Sequence, residues 1–424
     1  MSMNRPENLP VTSAVEKQDG MRKWVGWALL LLTLVGFLGV AVFLNARIHS
    51  EQQFAFLARS FLHGDLGFEE APGGSWADTS PYGGRYYWPL GPLPAVVLMP
   101  FEFLASAFGI FFYQGYLQPL LDLAVLAIVY RIARVTGYRA EDSAYLAFGF
   151  TFATAFLGVG IWPWSWYFSQ VITCLLVFAT IAETIGKRRP WILGVLFALI
   201  LAARVSAALG ALWCIGEILR DRGDWQRKLK SVLAIAVPVL VVAGLLMAYN
   251  HARFDHAFDQ GYAEQIIPPH AAAGRALGIF SMQHLPGNLY NLLLAAPIPV
   301  RRDNVSIALT FPYVVANPWG MSLWVTSPLF LYLLGLRHRD DTSVLLLLTT
   351  LVIAVPILLY YGVGFRQFGY RYSLDFLPFL YYLLLRNYRQ QRGDLTVGFK
   401  AVVLLCAMWN LYLFAGHFVW RVGW

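Results

Sequence analysis

Residues 24–44 form an unbroken apolar stretch long enough to cross a bilayer. Roughly ten further apolar segments follow, most of them of helical span length. Such a chain reads as a multi-spanning membrane protein built of transmembrane helices. Composition agrees: 58% of residues are hydrophobic and 13% charged, where a soluble domain carries about 25% charged. The formal net charge of +8 would suit nucleic acid, but inner loops of membrane proteins collect Lys and Arg, and no nucleic-acid partner is expected. Cys174, Cys214 and Cys406 lie in or beside apolar segments, with neither metal nor disulfide spacing.

The basic loops orient the chain. Residues 1–23 read as a cytoplasmic tail ending in Arg22 and Lys23, and residues 24–424 as one transmembrane unit. The first span reads as a retained anchor, because no small-residue cleavage site follows it. Residues 45–115 then form an outer loop. Within it, 92–112 is apolar but carries Pro92, Pro94, Pro100 and Glu102. A full crossing there would put Arg131, Arg134 and Arg139 outside, so this stretch reads as interfacial or re-entrant helices. Further spans are expected at 116–133, 144–161, the stretch ending at Lys187–Arg189, 232–249, 319–336, 344–361, 373–385 and 399–418. Residues 191–219 suit a tight helical hairpin with Arg204 at its outer tip, and 250–317 a second outer loop. The expected fold is thus an all-α polytopic bundle of about eleven transmembrane helices, in the plasma or inner membrane, with interfacial helices after the first span.

Polar chemistry gathers on the outer side. Glu51 heads an amphipathic stretch in which Phe54, Leu57, Ala58, Phe61 and Leu62 follow helical spacing. Ser50 with Gln53 predicts a capping box, and Gly64 a stop. A carboxylate is thereby held where water, headgroups and protein meet. Three outer clusters accompany it. The first holds Arg85, Tyr86 and Tyr87; the second Tyr249, Asn250 and Arg253; the third Arg366, Gln367, Tyr370 and Arg371, with Asp375. Aromatic planes with few charges suit a sugar ring, and arginines at the same level suit a phosphate. The aromatic run at 162–167 reads as an interfacial belt. Asp65, Glu69, Glu70 and Asp78 read as solvated loop charges, any of which could stand in for Glu51 as a base. Asp122, inside a span, is expected to hydrogen-bond a neighbouring helix, and Asp375 to pair with an arginine. His251 and His256 are spaced wrongly for one helical face. No aspartate-any-aspartate pair occurs outside, so no metal is assigned and a divalent ion is left open without support.

The passages FAFLARSFLHG at 54–64, GRYYWPLGPLP at 84–94, YNHARF at 249–254 and QFGYRYSLDFLP at 367–378, in this order and topology, resemble the GT-C class of membrane glycosyltransferases. Within it they look like bacterial relatives of dolichyl-phosphate-mannose protein mannosyltransferases and aminoarabinose transferases. The resemblance implies a sugar carried on a polyprenyl phosphate and transferred on the periplasmic or outer face to a protein, lipid or envelope-glycan acceptor. It implies that the acid after the first span, here Glu51 where the family usually has aspartate, serves as base or orients the acceptor. The family's basic hairpin residue falls on Arg204, which would hold the donor phosphate together with Arg366 and Arg371. Arg85, Tyr86, Tyr87, Tyr249, Asn250, Arg253, Gln367, Tyr370 and Asp375 are then candidate substrate contacts. A transporter or flippase of lipid-linked sugars, or a non-catalytic relative, is the alternative. Charges at the outer ends of spans and the lack of an internal repeat favour the enzyme.

Overall fold

The computed structural model describes residues 11–303 and 307–416. The expected tail falls outside the described residues over 1–10, as do the last two positions of the expected final span. Helix α1 (Val11–Arg47) leads to α2 (Gln53–Leu62), a hairpin of β1 (Ser80–Tyr82) and β2 (Arg85–Tyr87), and α3 (Leu93–Ser106). Then come α4 (Gln118–Val135), α5 (Ala140–Phe152), α6 (Phe156–Ile161), α7 (Ser165–Ile185), α8 (Pro190–Ala203), α9 (Val205–Ala208), α10 (Ala211–Arg220) and α11 (Trp225–Phe254). The segment after α11 holds α12 (Pro269–Arg275), α13 (Leu285–Leu293) and a hairpin of β3 (Ile298–Arg301) with β4 (Leu309–Val315). The chain closes with β5 (Trp319–Met321), α14 (Leu323–Thr326), α15 (Asp341–Leu359), β6 (Gln367–Gly369), α16 (Leu377–Arg392) and α17 (Val397–Phe414).

The protein is an all-α polytopic membrane protein. Among the described residues six segments are long and apolar enough to cross a bilayer: Gly26–Arg47, Gln114–Val135, Ser165–Ile185, Trp225–Phe254, Asp341–Leu359 and Val397–Phe414. Helices α3 and α8 are shorter apolar helices. Burial sorts the long ones: 67% of the apolar window of α7 is buried against 6% of that of α11. Helix α7 is therefore central, and α11 offers its apolar surface to lipid. Gly194 lets α8 approach α11, since a Cβ there would lie 2.6 Å from the Ala234 carbonyl oxygen.

Two expected spans are broken. Residues 144–161 divide into α5 and α6, because Thr154 competes for the backbone: its hydroxyl donates to the Phe150 carbonyl (2.6 Å) and accepts from the Phe156 N–H (3.1 Å). Residues 319–336 divide into β5, α14 and a 3-10 turn, Pro328–Gly335. Pro328 has no N–H to continue a ladder, and β5 is drawn into a parallel pair with β6. Asn410 on α17 serves both breaks, donating to the carbonyls of Phe152 (3.1 Å) and Thr326 (2.7 Å). In lipid those carbonyls would otherwise be unsatisfied. The expected span at 373–385 likewise opens as a 3-10 turn, Arg371–Asp375, before α16. Asp122 does not make its expected bond: among the described residues neither carboxyl oxygen finds a partner, and the group is buried against Gly160.

The elements between α1 and α4 are built on α2, which packs Phe54, Ala55, Leu57 and Ala58 into a core with Trp88, Leu93, Leu98 and Phe168. Arg59 pairs with the buried Glu102 of α3 at 2.7 Å, and Glu102 also accepts from the Phe112 N–H at 2.7 Å. Gly91 docks the start of α3 on the end of α8: a Cβ there would lie 2.2 Å from the Ala202 carbonyl oxygen. Gly91→Ala is therefore expected to destabilise the fold by about 1–3 kcal/mol, seen as a lower melting temperature of the detergent-purified protein.

Candidate functional site

Helix α2 ends as its sequence demands, at Leu62 with Gly64 in the left-handed region (φ 79°). Its start departs from expectation. Gln52 occupies the N-cap and no side chain caps the helix. Gln53 instead turns its amide onto Glu51, donating from Nε2 to Oε2 at 2.7 Å. Glu51 itself is left-handed (φ 55°). It is held there through its carbonyl oxygen, which accepts from the Ser165 N–H (2.9 Å), the Ser165 hydroxyl (2.9 Å) and Gln114 Nε2 (3.3 Å). Amides of Asn45, Gln52, Gln114 and Gln118 together cover the carbonyls of residues 159–163, where α6 runs out. That collar fixes the turn leading to Trp164.

Beyond it opens a cavity of about 900 Å³. Its wall includes Glu51, Asp78, Trp164, Trp166, Tyr167, Arg204, Arg366, Arg371 and Tyr372, and further round Tyr249, Asn250, Arg253, Tyr262 and Tyr360. The structure thus brings together Glu51, Arg204, Arg366, Arg371, Tyr249, Asn250 and Arg253. The other candidates stand outside this wall. Arg85 pairs with Asp65 at 2.7 Å, Tyr86 stacks on Trp76, and Tyr87 packs edge-on to Phe254. Gln367 braces its loop by donating to the carbonyls of Trp319 and Val363, both at 2.7 Å. Tyr370 donates to Asn288 Oδ1 at 2.9 Å inside the core.

Arg204 is at the break between α8 and α9, with extended backbone. It is not alone: Nε meets Asp375 Oδ1 at 2.6 Å and Nη2 meets Oδ2 at 3.0 Å. Ser206 also donates to Asp375. This bidentate pair is almost wholly buried, with side chains 14% and 1% exposed, so Arg204 brings little free charge to the cavity. Arg371 differs. It is buried, its Nε has no partner, and among the described residues it forms no ion pair. Its Nη2 donates to the Tyr372 hydroxyl (3.3 Å), and the guanidinium lies 4.9 Å from the centre of that ring and 5.6 Å from that of Tyr167. Gln170 fixes the backbone by donating to the Arg371 carbonyl at 3.0 Å.

The aromatic run is what the sequence reading missed, while Asp78, read as a solvated loop charge that could stand in for Glu51, lies on the cavity wall. Trp164, Trp166 and Tyr167 line the cavity, where a membrane belt was expected. Asp78 is placed by the meeting of the segment after α2 with the segment after α11: its N–H donates to the Ile266 carbonyl (2.7 Å), and its carbonyl accepts from Gln265 Nε2 (3.0 Å). Glu51, Asp78 and Arg366 all have left-handed backbone (φ 55°, 60° and 52°). Each costs on the order of 1–3 kcal/mol, a kind of strain that concentrates at functional sites. Burial pushes the Glu51 carboxyl above the usual carboxylate range, with Gln53 and Arg366 pulling it partly back. Burial and the charge of Glu51, opposed by Arg371, push Asp78 up to about 7.

A pH dependence follows. Asp78 keeps its proton below about pH 7 and is negative above it, so an anion at Arg371 gains a repulsive neighbour as pH rises. Affinity for a lipid phosphodiester, whose own charge is constant in this range, should fall on the order of tenfold between about pH 6 and about pH 8, one pK unit being worth that factor. Asp78→Asn should flatten the profile, and an unchanged slope would refute the coupling. Titrations of purified protein decide it.

No family model and no curated protein sequence matches the chain. Among solved structures it is similar to the Archaeoglobus fulgidus oligosaccharyltransferase in the apo form, at 12% identity and a TM-score of 0.48, over 92% of this chain and 55% of that one. It is also similar to the Archaeoglobus fulgidus oligosaccharyltransferase AglB in complex with an inhibitory peptide and a dolichol-phosphate, at 10% identity and 0.45, over 93% and 56%. The chain thus spans about half the length of these proteins, and likeness at this level carries no functional argument.

Proposed function

We propose that the protein is a membrane glycosyltransferase that takes a hexosyl or pentosyl group from a polyprenyl-phosphate donor and passes it to an acceptor on the outer face of the inner or plasma membrane. The observation that carries this reading is Arg371: a buried guanidinium that forms no ion pair among the described residues, on the wall of a cavity that also holds Glu51 and Asp78. A buried charge of that kind is costly until an anion meets it, and a planar guanidinium suits a phosphate. Arg366 adds positive charge near Glu51. Arg204, locked to Asp375, holds the hairpin tip and the cavity wall in place. Trp164, Trp166 and Tyr372 offer ring faces to a sugar.

The chemistry divides between the two charge groups. An acceptor hydroxyl or amide attacks the anomeric carbon, and the bond from that carbon to the phosphate oxygen breaks. The electron pair leaves with the lipid phosphate, whose growing charge Arg371 and Arg366 stabilise. The acceptor's proton passes to Glu51, with Asp78 beside it. Purified protein incubated with a panel of polyprenyl-phosphate hexoses and pentoses should release free polyprenyl phosphate, by hydrolysis or by transfer to an added acceptor. Release from none of them, by protein that remains folded, would overturn the proposal.

A further inference from the structure

We propose that Arg253 and Tyr249 form a second anion-binding subsite in the same cavity, for a negative group that the substrate carries in addition to the phosphate held by Arg371. The inference rests on the glycosyltransferase reading for the identity of the substrate, but the subsite stands on its own geometry. Arg253, in the last turn of α11, is only 3% exposed. Two of its nitrogens are fixed: Nη1 donates to the Trp88 carbonyl (2.7 Å) and Nη2 to Asn250 Oδ1 (2.8 Å). Both acceptors are neutral. Nε has no partner, and among the described residues Arg253 forms no ion pair. Its guanidinium lies 3.8 Å from the centre of the Tyr249 ring and 4.8 Å from that of Phe254. Ring faces ease a cation's burial without neutralising it.

Among the described residues the Tyr249 hydroxyl is a second buried donor without a partner, and both residues line the cavity. Asp259 is within electrostatic reach of Arg253, but its Oδ1 is engaged by the Gly261 N–H at 2.7 Å. The two arginines lie over different rings, Arg371 over Tyr372 and Tyr167 and Arg253 over Tyr249 and Phe254. A second negative group on the substrate would give Arg253 Nε and the Tyr249 hydroxyl the partner they lack among the described residues. A diphosphate linkage or a sugar carboxylate would both supply the missing charge.

The test compares three ligands on detergent-purified protein: polyprenyl-phospho-glucose, polyprenyl-phospho-glucuronate and polyprenyl-diphospho-glucose. Wild type should bind at least one of the doubly anionic ligands about tenfold more tightly than the first, roughly one charge-assisted hydrogen bond. Arg253→Gln should erase that preference and Arg253→Lys restore part of it, with melting curves confirming the fold. Preference for the glucuronate places the anion on the sugar, and preference for the diphosphate places it on the lipid linkage. No preference in wild type overturns the inference. So does equal weakening of all three ligands in Arg253→Gln, which would make Arg253 a strut between α11 and the Trp88 loop. If none of the three binds, the glycosyltransferase reading is left to the donor panel, and free glucuronate and inorganic pyrophosphate test the subsite by itself. Protection against melting in wild type, absent in Arg253→Gln, supports it, and no protection overturns it.

Discussion

Arg371→Gln should lower affinity for a polyprenyl-phosphate donor by about 2–5 kcal/mol, the cost of truncating one partner of a buried charge pair. That is roughly thirtyfold in Kd at the low end. The fold should survive, because among the described residues Arg371 forms no ion pair, and Asp78, whose carboxyl it pulls down, can keep its proton instead. Arg371→Lys should recover part of the binding, since a point charge remains while the planar fork is lost. Arg204→Gln is the informative contrast. Asp375 is 1% exposed, so removing Arg204 leaves a buried carboxylate unpaired, at a cost of about 3–5 kcal/mol in stability. Its main effect should be on the melting temperature. Replacing both partners with leucine should restore much of the lost stability. If Arg204→Gln instead melts normally but loses the donor while Arg371→Gln binds normally, the phosphate belongs to Arg204.

Glu51→Gln should reduce transfer about 10²–10⁴-fold, the usual contribution of a general base, while leaving donor affinity nearly intact. The amide keeps the shape of the side chain and its bond to Gln53, but it cannot take a proton at neutral pH. Glu51→Asp should retain measurable activity. Turnover by Glu51→Gln close to wild type, with collapse in Asp78→Asn, would move the base to Asp78, whose carboxyl is already pushed up to about 7.

Much of this architecture is written locally in the chain. Helix α2 is legible because its apolar spacing and Gly64 act over neighbouring residues. The six long spans are legible because length and hydropathy suffice. The breaks after α5 and around Pro328 are not, since broken and continuous helices have the same hydropathy. What stabilises the breaks is Asn410, far along the chain. Arg204 can be placed at a hairpin tip from the apolar runs on either side, yet its neutralisation by Asp375 depends on a contact 171 residues away. Asp78 carries no motif at all. Its role comes from Ile266 and Gln265, which pull it in beside Glu51. The run at 162–167 has the composition of a membrane belt, and only the amide collar behind it turns its rings toward the cavity.

The most direct measurement is equilibrium binding of a long-chain polyprenyl phosphate, set against the uncharged polyprenol of the same length, to purified wild type and Arg371→Gln. The phosphate should bind wild type at least about thirtyfold more tightly than the alcohol, and most of that margin should vanish in Arg371→Gln. Equal affinity of wild type for the phosphate and the alcohol would contradict a lipid-phosphate donor site in this cavity.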